Sequence, residues 1–259
     1  MHPAEHTEVE RWLAQHGLAD AEPTPLLAAR LAVRRQAKLA NSILLAAFLI
    51  GAALTHALGL PTTVTSSWPQ LAALAVLAIG LLVAQWLLGW WVRRADRQAG
   101  AQLVRRVAHP VELGWVAVLR WPYVVFTIAT FTAAMLLAVS VLPIPDTALR
   151  NGATVVLIGL AVAGAGTVMQ LRQVLASPAV ADDEASLTAD VIMRVEDARA
   201  LVTPSLVWSL PAIFLYGESL GWWNAAALAL VVAGVLAFAL IQLRTMGVES
   251  TARRALATR

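Results

Sequence analysis

The chain has no cysteine among its 259 residues. That excludes disulfides, thiol nucleophiles and Cys-ligated zinc or iron–sulfur centres, and leaves the redox compartment undetermined. Charge is almost as scarce: Asp, Glu, Lys and Arg make up 14% of the chain and hydrophobic residues 59%. A soluble domain carries roughly 25% charge to clothe its surface, so much of this exterior must face hydrocarbon. Lysine occurs once, at Lys38, against 18 arginines, which reads as a compositional bias rather than a mechanism. Also missing are HExxH and Walker A sequences and any strand-like alternation, so neither metalloprotease nor ATP-site chemistry is written in the chain.

What is present is a series of apolar stretches near the roughly 20 residues a helix needs to cross a bilayer. Six lie at Leu39–Leu60, Leu71–Val92, Pro122–Leu142, Ala153–Leu171, Leu201–Gly217 and Leu220–Leu243. Lipid offers no partner to backbone N–H and C=O groups, so these stretches must be helices. No Asp, Glu, Lys or Arg falls deep inside any of them. Proton relays and voltage sensors need ionisable groups at that depth, so this absence counts against proton-driven transport.

The basic residues then set orientation. Five precede Leu39, six lie from Arg93 to Arg120, three from Arg172 to Arg199 and four from Arg244 onward; Arg150 alone stands elsewhere. Positive charge resists translocation, so both termini and the two long loops face the cytoplasm. The expected fold is all-α: a polytopic membrane bundle of six transmembrane helices arranged as three hairpins, plus short cytoplasmic amphipathic helices. Its parts are a cytoplasmic N-terminal segment (1–38), a membrane domain (39–243) with cytoplasmic loops 93–121 and 172–200, and a C-terminal tail (244–259). The first 38 residues contain no apolar signal core, so the first span reads as a retained anchor. Trp90, Trp91 and Trp121 are expected at the inner interface, and Trp68, Trp222 and Trp223 at the outer one.

Outside the spans, Thr7-Glu-Val-Glu10 has the form of a capping box, and Gly17 supplies a helix stop. Thr24-Pro25 offers an N-cap and N1 pair for a helix that runs on into the first span, placing Arg30, Arg34, Arg35 and Lys38 at the headgroups. In the second long loop, Leu187, Val191 and Val195 form one apolar stripe on a helix from Asp183 to Arg199. Such helices in loops 93–121 and 172–200 are candidate contacts for a cytoplasmic protein partner, or else cap the bundle.

Candidate site residues are few. Ser205, Ser209 and Tyr216 share a face beside Pro204 and Pro211, and Tyr123, Thr127 and Thr130 share one on the third span. Facing hydroxyls either line a cavity or bond to helix backbone and neighbouring helices. Arg150 and Glu218 form a candidate outer ion pair, against the alternative of two solvated charges. Ladders of small residues, Ala225–Ala229–Ala233–Ala237 and Ala47–Gly51–Thr55–Gly59, suit close helix packing within the chain or, less so, a homo-oligomer face. His2 and His6 lack further ligands for a metal. No catalytic residue, cofactor site or metal site is assigned, and the basic blocks flank spans rather than forming a nucleic-acid surface.

The expected partner is the lipid bilayer, and the expected location a bacterial cytoplasmic membrane. Three functions are weighed: a transport component, permease-like and without its own ATP site; a non-catalytic scaffold, assembly or immunity-type subunit; and, fitting least, an enzyme acting on lipid. Only in span count is the architecture similar to the permease half of an ABC exporter; the short outer segment before the last helix departs from that pattern.

Overall fold

The computed structural model describes residues 2–59, 68–101, 114–145, 147–177, 184–202, 221–245, 247–248 and 250–252. These form helices α1 (Pro3–Gln15), α2 (Pro25–Gly59), α3 (Trp68–Ala101), α4 (Trp115–Val141), α5 (Thr147–Ala176), α6 (Glu184–Val202) and α7 (Gly221–Arg244), with no strand among the described residues.

Helix α1 begins one turn earlier than expected. Pro3 takes the first helical position, where a missing N–H costs nothing, and the backbone N–H of His2 donates to Glu5 Oε2 at 2.9 Å. Thr7 is therefore inside the helix, its hydroxyl donating to the Pro3 carbonyl. The end is as read: Gly17 adopts φ 66°, Leu18 N–H reaches Leu13 O at 2.9 Å and Gly17 N–H reaches Ala14 O at 3.3 Å. This is a Schellman closure, which favours glycine at the left-handed position. Thr24 then caps α2 by accepting from Leu27 N–H at 3.2 Å. The helix continues for 35 residues without interruption.

Helices α2 and α3 form an antiparallel pair. Gly51 faces the Leu77 methyls, Gln85 Nε2 donates to Asn41 Oδ1, and Arg30 reaches Asp96. A Cβ at Gly51 would meet Leu77 at 3.2 Å, so the small residue is what lets the helices approach. Antiparallel packing recurs between α4 and α7, where Phe126 meets Phe238 and, one end along, Trp223 Nε1 donates to Ser140 Oγ at 2.9 Å. Arg120 breaks α4 with φ 59° and ψ 151°, a region costly for a residue with a side chain. Together with Pro122 it separates a short foot, in which Val118 and Leu119 are buried, from the helix proper.

Among the described residues four helices are long and apolar enough to cross a membrane: Ala75–Ala101, Val118–Val141, Arg150–Ala176 and Ala225–Arg244. They coincide with the second, third, fourth and sixth expected stretches. The first stretch lies on α2, which is not among the four, and the fifth lies almost wholly outside the described residues. Ile43, Ile79, Ile128, Leu136, Ile158 and Leu236 are each at least 60% exposed. Such an apolar outer surface is a membrane protein's. The described fold is thus an all-helical, multi-pass membrane bundle.

The helix directions bring the basic blocks to one end. The N-terminal half of α2 and the C-terminal ends of α3 and α5 meet there, and so do the foot of α4 and the end of α7. Trp90, Trp91, Trp115 and Trp121 are exposed at this end, with Arg94 stacked over Trp90 at 5.4 Å. Helix α6 plugs it. The expectation of a single apolar stripe is corrected: every residue from Ala189 to Val195 is buried. Val191 and Val195 pack with Val118, Leu119, Tyr123 and Val124 of α4, while Ala189 and Met193 face Val9, Leu13 and Leu27. Two apolar faces, one toward the bundle and one toward α1, make an interior helix rather than a surface one.

The small-residue ladder of α7 also departs from intrachain packing. Ala225, Ala229 and Ala233 are exposed, whereas Ala227 and Gly234 are buried.

Candidate functional site

A buried ion cluster joins α2, α3 and α6 beneath the bundle. Arg30 donates from Nε to Asp96 Oδ1 at 2.8 Å and from Nη2 to Asp190 Oδ1 at 2.5 Å. Arg34, one turn on, donates to both Asp96 oxygens at 3.0 and 2.7 Å and to Asp197 Oδ2 at 2.8 Å. Arg194 closes the set, with Nη2 2.8 Å from Asp190 Oδ2 and Nη1 donating to Ser177 O at 2.6 Å. Three arginines therefore meet three aspartates. Arg30, Arg34, Asp190 and Arg194 are almost fully buried. Isolated charges at such depth cost several kcal/mol each, so mutual neutralisation is the condition for their presence.

Local sequence explains the geometry. Arg30 and Arg34 are i, i+4 on α2, and Asp190, Arg194 and Asp197 are i, i+4, i+7 on α6, so each helix presents its charges as one stripe. The headgroup placement expected for Arg30 and Arg34 is corrected accordingly; Arg35 and Lys38 do remain exposed, near Glu8 and Glu196.

Proton affinities follow from these contacts. Burial works to lower the Arg34 guanidinium, but Asp197 and Asp96 outweigh it and raise it above its ordinary value. Asp197 is pushed above the usual carboxylate range, because desolvation, with help from Asp96 and Glu196, outweighs Arg34. At Glu196 the balance is reversed. Burial would raise it, yet His16 and Lys38, with Arg34 farther off, hold it below its ordinary value. His16 Nε2 lies 3.3 Å from Glu196 Oε1, tying α1 to α6.

Above the cluster lies a cavity of about 450 Å³ between α2, α3, α5 and α6. The ion cluster forms one end. Asn41, Gln85 and Gln170 form a band of amides, and Leu82, Val83, Trp86, Phe131, Val162 and Ala163 make the apolar remainder. Arg93 of α3 also lines it. Among the described residues no carboxylate lies within ion-pair distance of Arg93. Gly89 lets the side chains of two helices converge here: a Cβ on it would stand 2.6 Å from Gln170 Oε1 and 3.1 Å from Arg93 Nη1.

The hydroxyl face of the third span lies elsewhere. Thr127 Oγ1 sits 2.8 Å from Tyr123 O and 3.0 Å from Val202 O, and Thr130 Oγ1 donates to Phe126 O at 2.8 Å. Tyr123 is buried, its hydroxyl 3.4 Å from Thr245 Oγ1 and its ring 5.0 Å from the Arg199 guanidinium. None of the three lines the cavity. Arg150 is exposed at the start of α5, whereas Glu218, Ser205, Ser209 and Tyr216 lie outside the described residues. Among those residues no group of three His, Asp or Glu is arranged to hold a metal ion. Reading the sequence missed both the cluster and the cavity; the polar stripe on α6 and the Arg30/Arg34 pair were the available signals.

Fold and site together define a multi-pass helical membrane protein with an amphipathic intrabundle cavity. Comparison with protein-family models, curated proteins and solved structures finds no match.

Proposed function

We propose that the protein is the membrane component of a transport system, a permease-like subunit of six spans with both termini in the cytoplasm. The observation that carries this reading is the cavity, which runs from the apolar interior of the bundle to a charged end. Pockets of roughly 300–1,000 Å³ with a few converging polar groups are the usual form of a small-molecule site. The six-span count is supported by the exposed apolar side chains of α2, Leu39, Ile43 and Ile50, which lie on a helix running antiparallel to a span-length α3. Cytoplasmic placement of the charged end follows from the convergence of basic residues there. The ion cluster keeps that end shut in this conformation, and an energy-supplying subunit would act on it from the cytoplasm.

The test is purification of the full chain in mild detergent with its native neighbours. A stoichiometric ATPase in the complex, stimulated in its turnover by the presence of this chain, is the expected result. Recovery with a membrane complex that holds no ATPase would overturn the permease reading in favour of a scaffold or assembly subunit.

A further inference from the structure

We infer that the cavity binds an anionic amphiphile, a molecule with a phosphate-type head and an acyl chain, and that Arg93 is the head-binding residue. This rests on the reading of the cavity as a ligand site and names the class of ligand it takes.

Charge accounting points to an anion. The three aspartates at the cavity end are each engaged by Arg30, Arg34 or Arg194, so that set is neutral. Lys38, at the rim, pairs with Glu196 at 3.7 Å. Among the described lining residues Arg93 is the remaining cation, partly buried and without a carboxylate partner within that set. Its guanidinium offers the forked donors that suit phosphate oxygens, and Gln170 reaches the same spot over Gly89 with a further amide. A single cation bordered by neutral amides prefers one anionic group, and the lining carboxylates that a zwitterion's quaternary ammonium would seek are already engaged by arginines.

Shape points to a chain attached to that anion. From Leu82 to Arg93 the α3 wall rises about 16 Å at 1.5 Å per residue, and the wall away from Arg93 is apolar. Val83, Trp86 and Val162 line the cavity and are 50%, 42% and 52% exposed, too open for an enclosed wall. The cavity therefore opens sideways to lipid, at a level where an acyl chain can enter without leaving hydrocarbon. The head then rests near the tryptophan-marked interface, among Arg93, Gln170 and the Asn41–Gln85 pair.

The experiment is a native mass-spectrometric titration of the full chain in neutral detergent. Its four probes are dioleoylphosphatidylglycerol, dioleoylphosphatidylcholine, dodecyl phosphate and inorganic phosphate. One molecule of an anionic lipid-chain probe should be retained, at least tenfold more tightly than the choline lipid. Arg93→Gln should weaken it at least tenfold, and Arg93→Lys should restore part of the loss. Val162→Trp, a change at a half-exposed position that fills the apolar part, should weaken both chain-bearing anions while leaving Arg93 in place. Tighter binding of the two-chain lipid assigns the ligand to the bilayer, and tighter binding of dodecyl phosphate to a single-chain molecule. Equal retention of choline and glycerol lipids, retention unchanged in both Arg93→Gln and Val162→Trp, or inorganic phosphate bound as tightly as dodecyl phosphate would overturn the inference. Selective anionic binding without a co-purifying ATPase would leave the site standing and remove the transport reading.

Discussion

At the scale of residues, burial decides which charges matter. Asp190 accepts from Arg30 on one oxygen and has the Arg194 guanidinium 2.8 Å from the other, with almost no exposure. Removing it leaves Arg30 with Asp96 alone and takes the aspartate from beside the buried Arg194. Breaking a buried pair by deleting one partner costs about 3–5 kcal/mol, so Asp190→Ala should lower the thermal midpoint of the detergent-solubilised protein by several degrees or prevent its accumulation. A midpoint within a degree of wild type would show that water reaches the cluster and screens it. None of this was legible from charge counts. Arg30 and Arg34 have the composition of an ordinary inner-leaflet flank, and only the partners brought from α3 and α6, 62 to 163 residues away, distinguish a structural arginine from a headgroup one. By contrast, Gly17 and Thr24 were readable, because a left-handed stop and an N-cap depend on neighbours within five residues.

At the scale of elements, spans were legible and α6 was not. The apolar runs of α3, α4, α5 and α7 declare themselves by length, since hydrocarbon imposes one requirement on the whole segment. Helix α6 mixes Asp, Arg and Glu with Val and Ile, and that mixture describes a solvated surface helix equally well until its neighbours are known. Its burial rests partly on α1, which is held by apolar contacts and by the His16–Glu196 pair. Glu196 is held below its ordinary value, so its contribution is present at neutral pH and is lost as pH falls through its folded-state value. Asp197, held above its ordinary value, works in the opposite sense: the folded state takes up its proton more readily, and acid relieves its cost. Acidification into and below the carboxylate range should therefore loosen α1 selectively. Hydrogen exchange at Val9–Leu13, corrected for intrinsic rate, should rise in wild type. In Glu196→Gln it should already be faster at neutral pH and should lack the acid step. Superimposable profiles for the two proteins would remove Glu196 from the docking of α1.

At the scale of the whole molecule, the prediction concerns sidedness. The structure gathers the arginine-rich ends of α3, α5 and α7 and the polar half of α2 at one end, as the alternation of basic blocks requires. A reporter fused after Arg259 should be cytoplasmic, and one inserted near Thr63 should be external. The opposite pattern would invert the scheme, and with it the placement of the cavity's charged end toward the energy-supplying side. The sequence carried this organisation well because topology is set by sums over many residues. It carried the cavity poorly because a cavity is set by a few side chains converging from separate helices, as Asn41, Arg93, Gln170 and Asp197 do.

Helix α2 joins these scales mechanically. It is a single rod of 35 residues, about 52 Å long at 1.5 Å per residue, with neither proline nor a described break between its charged half and its lipid-facing half. A rod cannot yield in the middle. A tilt of roughly 10° about its centre moves Arg30 and Arg34, about 18 and 12 Å from that centre, by about 2–3 Å, enough to carry their guanidinium groups out of hydrogen-bond reach of Asp96, Asp190 and Asp197. The outer end of α2 thus cannot swing away from α3 without extracting Arg30 and Arg34 from their carboxylates, and restoring those contacts draws the outer end shut. The helix makes the two ends of the bundle one lever, with the ion cluster as its detent.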